Sequence, residues 1–303
     1  MPSAALNQMA DFYAELGSRW PADDVAMQRD LAERLHMLAT EPEEVTYAEV
    51  DVAGVPALWA IPLGASSEHV LLHSHSGGSV VSSMYMDRKA VAHLAKATGA
   101  RALIINYRLA PENKFPAQID DVETAFNWLL KQGYDASRIA SVGHSIGGNY
   151  AVNLALTLGR KGAALPGAVL SMSPWFDMEV KNQAIATHAH LDKQLTREQL
   201  LGFASLMLDG TGTSKADPRI NLMNADLAGL PPTMIYYGDQ EILSGEAVEF
   251  GERAQLAGLE VELRALHHGQ HNFILGAGRV PEIDAAIAEM AAWIRAKLGL
   301  VSG

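Results

Sequence analysis

The sequence predicts an α/β protein with a mostly parallel central sheet covered by helices on both faces. Two observations carry this. Short apolar runs stand at 70–72, 102–105, 139–142, 168–172, 233–237 and 261–266, and helical stretches at 86–97, 119–131, 148–158, 245–257 and 283–298 separate most of them. Strands apolar on both faces need burial on both, and helices alternating with them supply the cover. In the last helical stretch Ile283, Ile287, Met290 and Ile294 make one stripe, with spacings of four, three and four.

The elements follow in order. The first forty or so residues look helical and amphipathic, with Val25, Leu31, Leu35 and Leu38 recurring at helical spacing among charges. Residues 45–52 then alternate, Ala53-Gly54 makes a turn, and 55–60 run back, which predicts a strand pair. The strand–helix alternation occupies the rest, except for 180–213. That segment has no strand run and carries His188, His190 and Met207. We read it as helical and as part of a cap with the N-terminal helices. The expected division is residues 1–44 as cap helices and 45–303 as the catalytic domain, with 180–213 contributing to the cap.

Composition removes several functions. The chain of 303 residues has 23 basic and 35 acidic side chains, a net charge of −12, which disfavours nucleic acid or an anionic membrane as partner. There is no cysteine, so disulfides, thiolate metal sites and a cysteine nucleophile are excluded together. No uninterrupted apolar run approaches the roughly 20 residues of a bilayer span. The first basic residue is Arg19, so a charged leader region is missing. The expectation is a cytoplasmic protein whose mature start lies near Met1.

Ligand sites on such sheets lie beyond the carboxyl ends of the strands. After the run at 139–142 comes Gly143-His144-Ser145-Ile146-Gly147-Gly148, then a helical stretch. This is G-x-S-x-G between strand and helix, where small residues allow a sharp turn that exposes the serine hydroxyl. A nucleophilic serine needs a base, and the base needs an orienting acid. Asp239 and Glu241 follow one later run, and His267, His268 and His271 follow the next. The order serine, acid, histidine fits a triad, with either acid and any of the three histidines open on the residues alone. After 70–72 comes His73-Ser74-His75-Ser76-Gly77-Gly78, whose glycine pair can leave N–H groups free to face a developing oxyanion.

Together these residues resemble the hormone-sensitive-lipase-like esterases, the bacterial family IV group of the α/β-hydrolase superfamily. The likeness runs from about Val45 onward. His75-Ser76-Gly77-Gly78 stands where the family has HGGG, and Tyr107-Arg108-Leu109-Ala110-Pro111-Glu112 with Phe115-Pro116-Ala117 stands for YRLAPE and FPA. Ser173-Pro174-Trp175-Phe176-Asp177, Ala216-Asp217-Pro218, Gly229-Leu230-Pro231-Pro232 and His271-Asn272-Phe273 match further landmarks. The resemblance implies the α/β-hydrolase fold and a carboxylic ester hydrolase for short-to-medium acyl esters. It makes Ser145 the nucleophile, His271 the base and Glu241 the acid, with Asp239 as fallback. The oxyanion donors are the N–H groups of Gly77, Gly78 and Ile146. No cofactor or metal is implied, and a homodimer is compatible. The chain departs from the family at Ser76, His144 and Ile146, where glycine, aspartate or threonine, and alanine are usual.

Rival readings start from the same residues. The triad serves a lactonase or an amidase equally well. His73-Ser74-His75 with His267, His268 and His271 suggests a zinc hydrolase, although Gly77 and Gly78 occupy the positions of the next metal ligands. A non-catalytic small-molecule binder on the same scaffold is the remaining alternative. For the less specific residues, packing or support is the simpler expectation: Tyr107, Arg108, Glu112, Asp120, Asp121 and Asp177 as supports, Trp59, Trp128 and Trp293 as core. Met84, Tyr85 and Met86 fit either core or pocket wall.

Overall fold

The structure, a computed structural model, describes residues 1–300. The N-terminal stretch forms α1 (Ala4–Ser18) and α2 (Val25–Glu33), the second running into a 3-10 turn at Arg34–Met37. Each starts on a side-chain cap: Ser3 accepts from the Leu6 N–H and Asp24 from that of Met27. A hairpin follows, β1 (Val45–Val52) and β2 (Val55–Pro62). Its turn residues Ala53 and Gly54 both have positive φ, as a two-residue hairpin requires, and the Asp51 carboxylate accepts from the Gly54 N–H.

All six apolar runs are strands: β3 (Val70–Ser74), β4 (Arg101–Ile105), β5 (Ile139–His144), β6 (Ala168–Met172), β7 (Thr233–Gly238) and β8 (Val261–Leu266). The sheet order is β1-β2-β4-β3-β5-β6-β7-β8. β2 is antiparallel to both its neighbours, and the other pairs are parallel. Helices α3 (Met84–Thr98), α4 (Ala117–Lys131) and α5 (Ile146–Arg160) follow β3, β4 and β5.

The segment 180–213 is only partly helical. It holds the single turn α6 (Ala184–Thr187) and α7 (Arg197–Leu208), joined by a loop. Asp192 stabilises that loop, because its carboxylate accepts from the N–H groups of Gln194 and Leu195 and from Ile242 across the chain. A capping box between Thr196 and Gln199 then starts α7. The chain closes with α8 (Ser244–Leu256) and α9 (Pro281–Leu298).

The strands alternate faces with period two. Leu71 joins one core with residues of α1, α3 and α9, while Val70 and Leu72 join the other with α4, α5 and α7. Residues of α5 and α8 bury a third cluster on Val169 and Ile235. Trp293 is buried, whereas Trp59 and Trp128 are half-buried and pack with Tyr134. Met84 and Met86 belong to the core, and Tyr85 is exposed with its hydroxyl on Glu49. Among the described residues no helix is long and apolar enough to cross a membrane.

Candidate active site

Ser145 lies at the tip between β5 and α5 with φ 58° and ψ −126°. That left-handed backbone is strained for a serine, and surrounding contacts must hold it. Close packing explains the flanking glycines. A Cβ on Gly143 would lie 2.1 Å from the Gly147 carbonyl oxygen, and one on Gly147 would lie 2.1 Å from that of Ser74. The Ser145 N–H donates to Met172 O, and Ser145 O accepts from Gly148 and Trp175. The hydroxyl thus stands over the N-terminus of α5, the positive end of its dipole.

The structure brings Ser145, Glu241 and His271 together. His271 Nε2 is 2.9 Å from Ser145 Oγ, and its Nδ1 is 2.6 Å from Glu241 Oε2. The other Glu241 oxygen accepts from the Gly238 N–H at 2.9 Å. All three side chains are buried. Asp239, two residues before Glu241, faces away. Its carboxylate lies 2.7 Å from the Nδ1 of the exposed His267 and accepts from the His268 N–H. His268 in turn contacts Gln240.

Gly77 and Gly78 adopt φ of 100° and 59°. A Cβ on Gly77 would meet the Val81 carbonyl oxygen at 2.1 Å, and one on Gly78 would meet the Phe203 ring at 2.4 Å. Among the described residues no protein acceptor takes the N–H of Gly77, Gly78 or Ile146. Ser76 needs no positive φ, so a serine is accommodated at that position. The loop is held by Tyr107, whose hydroxyl donates to His75 O and Ser76 O at 2.9 and 3.2 Å. The His75 ring stacks on Tyr107 at 4.0 Å, and burial pushes its imidazole down to about 4, despite the nearby Asp87 charge.

A family model described as alpha/beta hydrolase fold matches residues 71–275. The structure is also similar to a crystal structure of an esterase from the bacterial hormone-sensitive lipase family. The two are 34% identical with a TM-score of 0.94, over 99% of this chain and 100% of that one. The chain belongs to this esterase family. Further relatives agree. An esterase of Acinetobacter venetianus is 29% identical over 87% of this chain and 86% of its own. An acetyl-hydrolase of Streptomyces hygroscopicus is 30% identical over 80% and 82%.

In this family member Ser145, His271, Gly77 and Gly78 line one cavity. Tyr13, Leu16, Trp20, Leu31 and Leu35 contribute from the N-terminal stretch, and Leu195, Leu200 and Phe203 from 180–213. Trp20 and Phe203 meet edge to face, with centroids 6.2 Å apart. Ile146 is fully buried in the core beneath the elbow and does not line this cavity. Met84, Tyr85 and Met86 are likewise absent from its wall. Arg29 of α2 ties the N-terminal stretch to the loop that follows β3 and to residues 110–112, donating to Val80 O, Ala110 O and both oxygens of Glu112. Arg108 pairs with Asp121, and Asp177 accepts from Glu179 and Lys181 N–H groups, so these charges support loops.

The histidines of the zinc alternative do not converge. His75 stacks on Tyr107, His267 pairs with Asp239 at the surface, and His271 bridges Ser145 and Glu241. Among the described residues, the one group of three side chains close enough to share an ion is His73, Asp87 and His144. Their Nε2–Oδ2 separations are 2.7 and 2.6 Å. Tetrahedral zinc ligands on ~2.05 Å bonds stand about 3.3 Å apart, so these are hydrogen bonds. Residue reasoning missed Asp87, Asp192 and Arg29. Each looks like an ordinary helix or loop charge, and only the third dimension pairs it with the site.

Proposed function

We propose that this esterase hydrolyses short-to-medium acyl esters through Ser145, His271 and Glu241. The observation that carries the reading is the continuous path from Ser145 Oγ to Glu241, with 2.9 and 2.6 Å steps at the two nitrogens of His271. Ser145 attacks the ester carbonyl as His271 Nε2 takes its proton. Glu241 holds the ring in the tautomer that leaves Nε2 free to accept, and balances the imidazolium that forms. The N–H groups of Gly77, Gly78 and Ile146 donate to the oxyanion of the tetrahedral intermediate, and losing one such donor typically raises the barrier by about 3–4 kcal/mol. His271 then protonates the departing alkoxide, leaving an acyl-Ser145. Water, deprotonated by the same histidine, attacks that acyl group and frees the acid.

Residues 1–44 and 180–213 act as a cap over the domain 45–303. Apolar side chains from both segments enclose the serine, which favours an apolar acyl chain of limited length. The Streptomyces hygroscopicus relative, by name an acetyl-hydrolase, supports a short one.

The test is hydrolysis of p-nitrophenyl esters from acetate to laurate by the wild type and Ser145→Ala, with and without a chelator. A lactone and an anilide run beside them. Loss of several orders of magnitude in the variant, indifference to the chelator and an optimum at butyrate or hexanoate are expected. Activity surviving in Ser145→Ala, or a preference for laurate, overturns the reading. Faster turnover of the lactone or anilide replaces the ester as substrate while keeping the triad.

A further inference from the structure

His144 immediately precedes Ser145, and Asn272 immediately follows His271. The structure joins these two neighbours directly: His144 Nδ1 is 2.7 Å from Asn272 Oδ1. The other ring nitrogen of His144 is 2.6 Å from Asp87 Oδ2, and the same oxygen lies 2.7 Å from His73 Nε2. Asp87 and His73 are fully buried, and His144 and Asn272 nearly so.

We propose that Asp87, His144 and Asn272 form a positioning relay that sets the His271 imidazole against Ser145. The inference rests on the catalytic reading of Ser145 and His271.

The hydrogen count gives the relay its direction. The Asp87 carboxylate is an acceptor only, so it takes a proton from His144 Nε2 and orients the ring, whose other nitrogen meets the Asn272 side-chain amide. Burial alone opposes charge on Asp87, yet the two histidines keep its carboxyl well below the usual carboxylate range. Charge-assisted bonds of this kind are stronger and more directional than neutral ones. Asp87 is fixed in the first turn of α3, so His144 is anchored at one end by a rigid element.

Asn272 receives that order at the other end. Its backbone is left-handed, φ 57° and ψ 32°, and its carbonyl accepts from the Tyr13 hydroxyl at 3.0 Å. Side chain and backbone of Asn272 are therefore both clamped, one from beneath the elbow and one from α1. The Cα of His271 is one peptide away, so its ring inherits the placement. The relay thus links the residue before the nucleophile to the residue after the base, and only its Asn272 end reaches the cavity wall. Asp87 and His144 do not line the cavity, so they act through their neighbours. A misplacement of about 1 Å between reacting groups can cost about a hundredfold in rate.

The test is a double-mutant cycle on p-nitrophenyl butyrate hydrolysis, with kcat and KM measured separately and folding followed by urea unfolding. The set is Asn272→Ala, His144→Ala, the double variant, Asn272→Asp and Ser145→Ala. Each single alanine variant is expected to lower kcat about tenfold or more with KM within about twofold. The double variant falls no further than the worse single one, because both cut the same chain. Asn272→Asp restores most of kcat, since a side chain of the same size and reach still meets His144 Nδ1. An unchanged kcat in Asn272→Ala overturns the relay, as do losses that multiply in the double variant or an Asn272→Asp protein as slow as the alanine one. If His144→Ala does not fold, the Asn272→Ala and Asn272→Asp pair decides by the same criteria. Activity in Ser145→Ala marks failure of the catalytic reading itself, separately from the relay.

Discussion

Replacing His75 with phenylalanine is expected to remove a defined part of this protein's sensitivity to acid. Burial lowers the His75 imidazole from 6.5 to about 4 in the folded chain. Above the upper value neither folded nor unfolded chain carries the proton, and His75 leaves stability unchanged. Between the two values the unfolded chain takes up a proton that the folded chain refuses. Stability therefore falls as pH drops through this window and levels off below it. The window spans some two and a half pH units at about 1.36 kcal/mol each, a loss of about 3 kcal/mol. Phenylalanine keeps the stack on Tyr107, and the Ser76 carbonyl that His75 contacts also accepts from the Tyr107 hydroxyl. Urea unfolding of both proteins at about pH 7.5 and about pH 4.5 measures the difference. The wild type is expected to lose about 2.5 kcal/mol more than His75→Phe across this interval, which stops short of the lower value. Parallel losses in the two proteins refute the reasoning, because they would mean that His75 accepts a proton while folded.

Four further outcomes follow from the geometry. Glu241→Gln is expected to lower kcat by about 10³-fold or more, whereas Asp239→Asn stays within about twofold, in the same ester assay. Gly147→Ala puts a Cβ 2.1 Å from Ser74 O and is expected to abolish activity, read by ester turnover and thermal melting. Gly202→Ala, where a Cβ meets nothing within 4 Å inside α7, is expected to gain about 0.5–1 kcal/mol by urea unfolding. Phe203→Ala opens the cavity wall beside Trp20 and is expected to move the chain-length optimum to longer esters, measured across the p-nitrophenyl series.

The sheet was legible because its strands are apolar on both faces, a signal that local composition carries by itself. The position of Ser145 was legible for a similar reason: Gly143 and Gly147 are dictated by contacts within one turn and with the adjacent strand. The carboxylate that meets His271 was harder to read. Asp239 and Glu241 both follow β7, and only the turn of the backbone sends Glu241 to His271 and Asp239 to His267. The helix expected across 180–213 is interrupted because Asp192 draws on Ile242, fifty residues away, for its third hydrogen bond. Asp87 left no trace, since an acid in the first turn of a helix ordinarily faces solvent and complements the dipole. Its burial depends on two histidines contributed by other strands.

The docking of α1 has a consequence for the order in which the protein is made. The Ser3 N–H and hydroxyl both donate to Glu282 at the start of α9, and the Tyr13 hydroxyl donates to Asn272. These partners stand 279 and 259 residues apart. On the ribosome α1 emerges long before α9, and its seat does not exist until the residues up to α9 have followed. Until then Leu6, Met9, Tyr13 and Leu16 have no core to enter and are open to chaperones and proteases. The α1 side of the cavity at Ser145 is therefore completed only after the sheet and α9 are in place.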